Sequence, residues 1–110
     1  MLEITYPEIL YAHPEMRSRV IPIIEKAALI FRRFGYSSGS LVLVDAIPDC
    51  RGNFAAFLKF KFSDDVGLSV RDAAHLLNTA AGCDVADTVD SCVWITSDDV
   101  VEVAKVLSCL

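Results

Sequence analysis

Apolar residues recur every three or four positions along two stretches of the chain, and this spacing is that of one face of an α-helix. The first stretch covers residues 16–34 and is followed by Gly35, a residue that commonly ends a helix. The second covers residues 70–81, and Ser69 before it forms a capping-box pattern with an acidic residue three positions on. The spacing therefore predicts two amphipathic helices, the first with either a kink at Pro22 or a regular part that starts near it.

Shorter stretches have the pattern of β-strands. Residues 2–6 and 54–62 alternate apolar and polar side chains, which is typical of a strand with one buried face. Residues 41–47 are apolar and rich in β-branched side chains, and residues 92–95 form a brief apolar run. The turn-forming residues at 48–53 predict a hairpin loop between two of these strands.

A further helical pattern follows the last strand, at Val100, Val103, Ala104 and Leu107. The order is then strand, helix, strand, strand, helix, strand, helix. The first six elements have the order of the split βαβ, or ferredoxin-like, arrangement (βαββαβ). We expect a single α+β domain over residues 1–110, in which a single-layer mixed or antiparallel sheet has its helices packed on one face.

Composition and charge narrow the class of protein. A chain of 110 residues with 54% hydrophobic residues is long enough to build a core without disulfides or metals. The net charge of −5 argues against non-specific nucleic-acid binding, which depends on Lys and Arg. The sequence shows neither a secretory signal pattern nor an apolar run long enough for a bilayer. We therefore expect a cytoplasmic protein whose four cysteines are free thiols.

The acidic residues are concentrated in the second half of the chain. Residues 63–110 contain nine acidic and two basic residues, whereas residues 1–62 contain six acidic and eight basic ones. Some of these carboxylates stand in first turns of predicted helices, where they favour the helix dipole. The stretch CDVADTVDSC, residues 83–92, does not lie at the start of a predicted helix, so the helix dipole does not explain its carboxylates. It is interpreted as a connector between the second helix and the last strand and also as a candidate contact surface. It carries Asp84, Asp87 and Asp90.

Patterns for metal or catalytic chemistry are weak. The glycine and late glutamate of a calcium loop are absent from the aspartate-rich stretch, and the cysteine spacings do not suit zinc. His13 and His75 have no nucleophile and acid at recognisable spacing. Asp45 interrupts a buried strand, either at an edge or with a polar partner. A small-molecule sensor or an enzyme would therefore have its site near Asp45 or the Cys50 loop, while no metal or cofactor is expected.

FRRFG, at residues 31–35, and AFLKF, at residues 56–60, are two short patches that resemble the RNA recognition motif, a family with the same predicted order of elements. FRRFG is similar to the end of that family's first helix, and AFLKF is similar to the second half of its aromatic strand signature. The family stacks bases on outward aromatic residues of its two central strands. In the first strand Glu3 stands where an aromatic residue belongs. The resemblance implies a nucleic-acid face made of Phe57, Lys59 and Lys61.

The leading hypothesis is a small acidic protein-binding module, such as an inhibitor, an immunity-type protein or an adaptor. Its partner would be a protein with a basic surface, because complementary potentials speed encounter and select partners. The residues predicted to make the contact are Asp84, Asp87, Asp90, Asp98 and Asp99. No membrane contact is expected. Face-to-face pairing of two ferredoxin-like sheets, which would give a homodimer, is a further alternative drawn from the fold alone.

Overall fold

Eight helices and strands make up the part of the chain that the computed structural model describes, which is residues 2–6, 8–12, 14–48 and 55–95. In chain order these elements are β1 (Leu2–Thr5), α1 (Ile9–Ala12), α2 (Pro14–Arg33), β2 (Gly39–Pro48), β3 (Ala55–Phe62), α3 (Val70–Ala81), β4 (Ala86–Val89) and β5 (Cys92–Ile95). A short 3₁₀ turn, Asp64–Val66, lies between β3 and α3. The predicted hairpin loop after β2 and the predicted C-terminal helix fall outside the described residues.

The five strands form one mixed sheet in the order β1-β2-β3-β5-β4. β1 runs parallel to β2, and every other pair of neighbours is antiparallel. α2 and α3 both pack on the same face of this sheet, where their apolar side chains and those of the strands form one core. The strand residues buried in that core are Leu2, Leu41, Leu43, Ala46, Leu58, Phe60, Ala86, Val93 and Ile95. The predicted α+β class, with helices on one face, is confirmed.

The ferredoxin-like strand order is not confirmed. In a split βαβ arrangement another strand lies between the two strands that the first helix connects. Here β1 and β2 pair directly, from Leu2 opposite Gly39 to Thr5 opposite Val42. β1 is therefore an edge strand instead of a central one. The apolar pattern of a strand shows which of its faces is buried, but it does not show which strand lies beside it. The sequence therefore could not predict the strand order.

The two amphipathic helices follow their sequence signals closely. α2 runs through Pro22 instead of starting at it, and its end is closed by two backbone bonds, from Gly35 N to Arg32 O (3.1 Å) and from Tyr36 N to Phe31 O (3.0 Å). This is the Schellman pattern, which Gly35 permits through its φ of 94°.

α3 begins as the capping signal predicts. The Ser69 hydroxyl accepts a hydrogen bond from Asp72 N at 3.1 Å. Gly82 ends the helix in the left-handed conformation. Among the helices that the structure describes, none combines the length and apolar character needed to cross a bilayer.

Aromatic contacts join the first long helix to the middle of the sheet. Phe31 of α2 meets Phe62 of β3 edge to face, with ring centroids 5.2 Å apart and planes at 81°. Phe60 meets Phe62 in the same way at 5.8 Å and 87°. Such pairs add about 0.5–1.5 kcal/mol to the burial of the rings themselves.

Gly39 at the start of β2 offers a test of how tightly the sheet meets the 3₁₀ turn. A Cβ at this position would lie 2.6 Å from Val66 Cγ2 and 2.9 Å from Val66 N, and φ is +98°. Gly35 has a similar φ of +94° but nothing within 4 Å of the corresponding position. We expect Gly35→Ala to lower the free energy of unfolding by about 1–2 kcal/mol through backbone strain. Gly39→Ala should cost about 1–3 kcal/mol more, because the methyl group overpacks the contact.

Urea denaturation of both variants and the wild type measures this difference. Equal losses of stability in the two variants would show that the Gly39 contact with Val66 is loose.

Candidate interaction surface

The stretch CDVADTVDSC connects α3 to β5 as predicted, but it also forms an edge strand and a tight hairpin turn, which the prediction of a connector with a contact surface did not include. β4 pairs with β5 from Ala86 opposite Ile95 to Val89 opposite Cys92, which leaves a two-residue turn. Asp90 and Ser91 in that turn have φ of 51° and 61°. Two positive φ values in succession are the property of a type I′ hairpin. The sequence reading missed this turn because Asp-Ser lacks the glycine that usually announces it.

Three of the predicted contact residues lie along one edge of the sheet. Asp84 stands in the loop before β4, Asp87 is within β4, and Asp90 is in the turn after it. All three residues are exposed. Since β4 is the last strand in the sheet order, these residues form a line that we call the acidic edge. Asp98 and Asp99, the other two predicted contact residues, lie outside the described residues.

Two of these three carboxylates also support the local structure. Asp87 Oδ1 accepts a hydrogen bond from Thr88 N at 2.8 Å. Asp90 Oδ2 lies 3.7 Å from Lys59 Nζ, and the Asp90 side chain is 80% exposed. An exposed ion pair of this kind contributes at most about 1 kcal/mol. Asp84 makes neither a hydrogen bond nor an ion pair with the residues that the structure describes.

A row of four polar and aromatic side chains crosses the sheet on the face opposite α2 and α3. Asp45, Lys59, Trp94 and Asp87 stand directly opposite one another on β2, β3, β5 and β4. Lys59 Nζ lies 5.2 Å from the centroid of the Trp94 ring, within the range of a cation–π interaction. Lys59 is thus held between this ring and the Asp90 carboxylate, and its charge is partly compensated.

Asp45 owes its place to a β-bulge. Leu43 pairs with Phe60 and Asp45 pairs with Lys59, so Val44 is the extra residue between them. A bulge of this kind changes which side chains a strand presents on each face. Asp45 is exposed and faces Lys59, so the alternative of a buried acid with a hidden partner does not hold. The hypothesis of an enzyme or sensor site near Asp45 loses the burial on which it depended.

The nucleic-acid face implied by the resemblance is only partly described and differs from its template. That family uses two central strands, whereas here β2 separates β1 from β3 and β1 is an edge. The backbone of Phe57 pairs with Ile47, and the Phe57 side chain lies outside what the structure describes. Lys61 is exposed opposite Val42, while Lys59 is engaged by Trp94 and Asp90. The homodimer drawn from ferredoxin-like pairing has no support either, because it relied on the same strand order.

Two cysteines stand at the ends of the aspartate-rich stretch. Cys83 is exposed and Cys92 is buried, and both are free thiols. In the described ranges there is no group of three or more His, Cys, Asp or Glu side chains that could hold a metal ion. A cavity of about 340 Å³ lies between the start of α3 and the β4–β5 turn, with Ser63, Asp64 and Ser91 in its wall. It contains none of the three acidic-edge residues.

Two polar residues that were not singled out from the sequence stand out in the structure, Asn78 beside β4 and Tyr6 at the opposite edge of the sheet. Asn78 of α3 bonds to the backbone at the start of β4. Asparagine is a poor helix former, and its presence inside a helix was the one signal that could have indicated a specific contact. Tyr6 follows β1, and its hydroxyl is buried without a hydrogen bond to the described residues. Burial, and to a smaller extent the Glu25 carboxylate, raise the pKa of Tyr6 to about 12.

This pKa predicts a loss of stability in alkali. Between pH 10 and 12 the unfolded chain releases the Tyr6 proton while the folded chain retains it, so the free energy of unfolding falls as the pH rises. We expect Tyr6→Phe to make this fall less steep, and Glu25→Gln to lower the pKa of Tyr6 slightly. Urea denaturation at a series of pH values measures the slope. Parallel stability curves for Tyr6→Phe and wild type would contradict the assignment.

Comparisons of this chain with protein-family models, with curated proteins and with solved structures found no match in any of the three.

Proposed function

We propose that this protein is a small binding module whose acidic edge docks a partner protein with a basic surface. The observation that supports the proposal is the alignment of Asp84, Asp87 and Asp90 along one exposed edge of the sheet. An inhibitor, an immunity-type protein or an adaptor would use such a surface to attract and select its target. The free thiols of Cys83 and Cys92 fit action in the reducing cytoplasm.

The spacing of the three carboxylates suits a shared electrostatic field. Residues 84 and 90 are six positions apart, and at about 3.3 Å per extended residue they are at most about 20 Å from each other. The backbone of each outer residue is then at most about 10 Å from that of the middle one, a distance close to the Debye length of about 8 Å at physiological salt. Lys59 offsets part of this charge through its pair with Asp90. A net negative edge remains, and it would accelerate encounter with a basic surface.

The structure also improves the choice of substitutions. Reversal of Asp87 and Asp90 to lysine would remove the bond to Thr88 N and disturb a turn residue with positive φ, so a loss of binding could reflect a damaged hairpin. Asparagine keeps an Oδ1 acceptor and tolerates positive φ. The triple substitution Asp84→Asn, Asp87→Asn and Asp90→Asn therefore removes three charges while it preserves the fold.

A matched control removes the same number of charges elsewhere. Glu3, Glu8 and Glu25 are exposed and lie on or next to β1, at the opposite edge of the sheet, or on α2. Glu3→Gln, Glu8→Gln and Glu25→Gln together therefore change the net charge by the same amount. Proteins retained from a host extract by immobilised wild type would be identified by mass spectrometry. The rate at which each purified candidate associates with the wild type, the acidic-edge variant and the control variant would then be measured at several salt concentrations.

We expect the acidic-edge variant to associate roughly ten times more slowly at low salt and with a weaker salt dependence, because electrostatic steering raises rates by this order or more. The control should stay within about twofold of wild type, since it acts only through net charge. Equal rates for the acidic-edge variant and wild type would contradict the proposal. So would equal slowing by the acidic-edge and control variants.

A further inference from the structure

β4 is the last strand of the sheet in the described residues, and the backbone groups on its outer side do not pair with another strand. In an antiparallel pair, alternate residues turn their N–H and C=O groups towards the partner strand and away from it. Val89 and Cys92 flank the two-residue turn, so the groups of Ala86 and Thr88 point away from β5. Within the described ranges no strand lies beyond β4. An edge of this kind is a template on which another strand can add.

Side chains of the same chain form hydrogen bonds with most of these outward backbone groups. Asn78 Nδ2 donates to Ala86 O at 2.9 Å, and Asn78 Oδ1 accepts from Ala86 N at 2.8 Å. Asn78 Oδ1 also accepts from Val85 N at 2.7 Å. At Thr88 the N–H is taken by Asp87 Oδ1 at 2.8 Å. Three of the four outward backbone groups of Ala86 and Thr88 are therefore already bonded within the chain.

The side-chain amide of Asn78 can bond to an edge strand in the way that a peptide group does. A primary amide carries a donor and an acceptor at one end, as a peptide group does. Placed beside Ala86, it makes the two bonds that a residue of a neighbouring strand would make. Asparagine costs helix stability relative to alanine, and the three hydrogen bonds offset that cost.

We infer that Asn78 is the residue that closes the edge of β4, while Asp87 occupies one further N–H, and that loss of Asn78 is enough to let a second copy of this chain add there as a strand. The same closure specifies the kind of partner for the acidic edge, a conclusion that rests on the proposed function. The partner is recognised through its basic side chains on a folded surface, because the main chain of β4 is not available to an extended segment.

Substitution of Asn78 tests the closure without any partner. Asn78→Leu and Asn78→Ala both remove all three bonds, and Asn78→Ala also favours the helix, so it keeps the test valid if Asn78→Leu does not fold. We expect the Ala86 amide to exchange with deuterium roughly ten times faster in dilute solution, since its hydrogen bond is lost. We also expect both variants to form dimers as concentration rises, measured by light scattering after size exclusion.

Two further substitutions show whether the variants associate through β4. Thr79 is exposed on the same helix, so Thr79→Leu adds an apolar side chain without touching β4 and should remain monomeric. Thr88→Pro places a proline ring on the outward side of β4, where it obstructs an incoming strand, and proline is tolerated on edge strands. Added to Asn78→Leu or Asn78→Ala, it should restore the monomer.

Either of two results would overturn the inference. One is a monomer at every concentration for both Asn78 variants. The other is association that persists when Thr88→Pro is added, because the contact would then be elsewhere. Neither readout involves the carboxylates of Asp84 and Asp90, so failure here leaves the proposed function standing. Conversely, the acidic-edge variant leaves Asn78 intact, and its failure would not affect the closure of β4.

Discussion

The burial of a single face of the sheet by α2 and α3 determines where the polar residues of the strands lie. Leu58 and Phe60 face the core from β3, and Val93 and Ile95 face it from β5. Since side chains alternate along a strand, Lys59 and Trp94 are forced to the opposite face, where they meet. A register slip of one residue on either strand would exchange these sets, and burial of a lysine in place of an aromatic or aliphatic side chain would be costly.

Two aspartates of the acidic edge, Asp87 and Asp90, illustrate how one residue serves both structure and surface. Asp87 accepts the Thr88 amide and remains exposed, while Asp90 adopts a positive φ and pairs with Lys59. Charge on an edge strand also discourages a second strand from pairing there, which is a common protection in natural sheets. A structural reason for these carboxylates and an interaction with a basic partner are compatible, because the partner would meet the same outward charges. Asp84 differs, since none of the hydrogen bonds or ion pairs among residues 2–6, 8–12, 14–48 and 55–95 explains it.

The three functional hypotheses depended on tertiary geometry to very different degrees. The nucleic-acid hypothesis needed the first strand and β3 to be neighbours, and the direct pairing of β1 with β2 prevents this. The hypothesis of a site near Asp45 needed a buried carboxylate, and a single inserted residue, Val44, places Asp45 at the surface opposite Lys59. The protein-binding hypothesis needed only that Asp84, Asp87 and Asp90 are exposed and close together in the fold. All three are exposed in or next to β4, and the hypothesis itself stays a prediction.

The sequence by itself determined the local elements. Apolar spacing located α2 and α3, Ser69 and Gly82 marked the ends of α3, and alternation located β3, because each of these signals acts between residues close in the chain. Only the tertiary structure decided the strand order, the hairpin at Asp90 and Ser91, and the contact of Asn78 with β4. Those features depend on which distant surfaces fit together and which backbone groups they leave to be satisfied. The residue pattern of a single strand or helix does not show which distant element will pack against it.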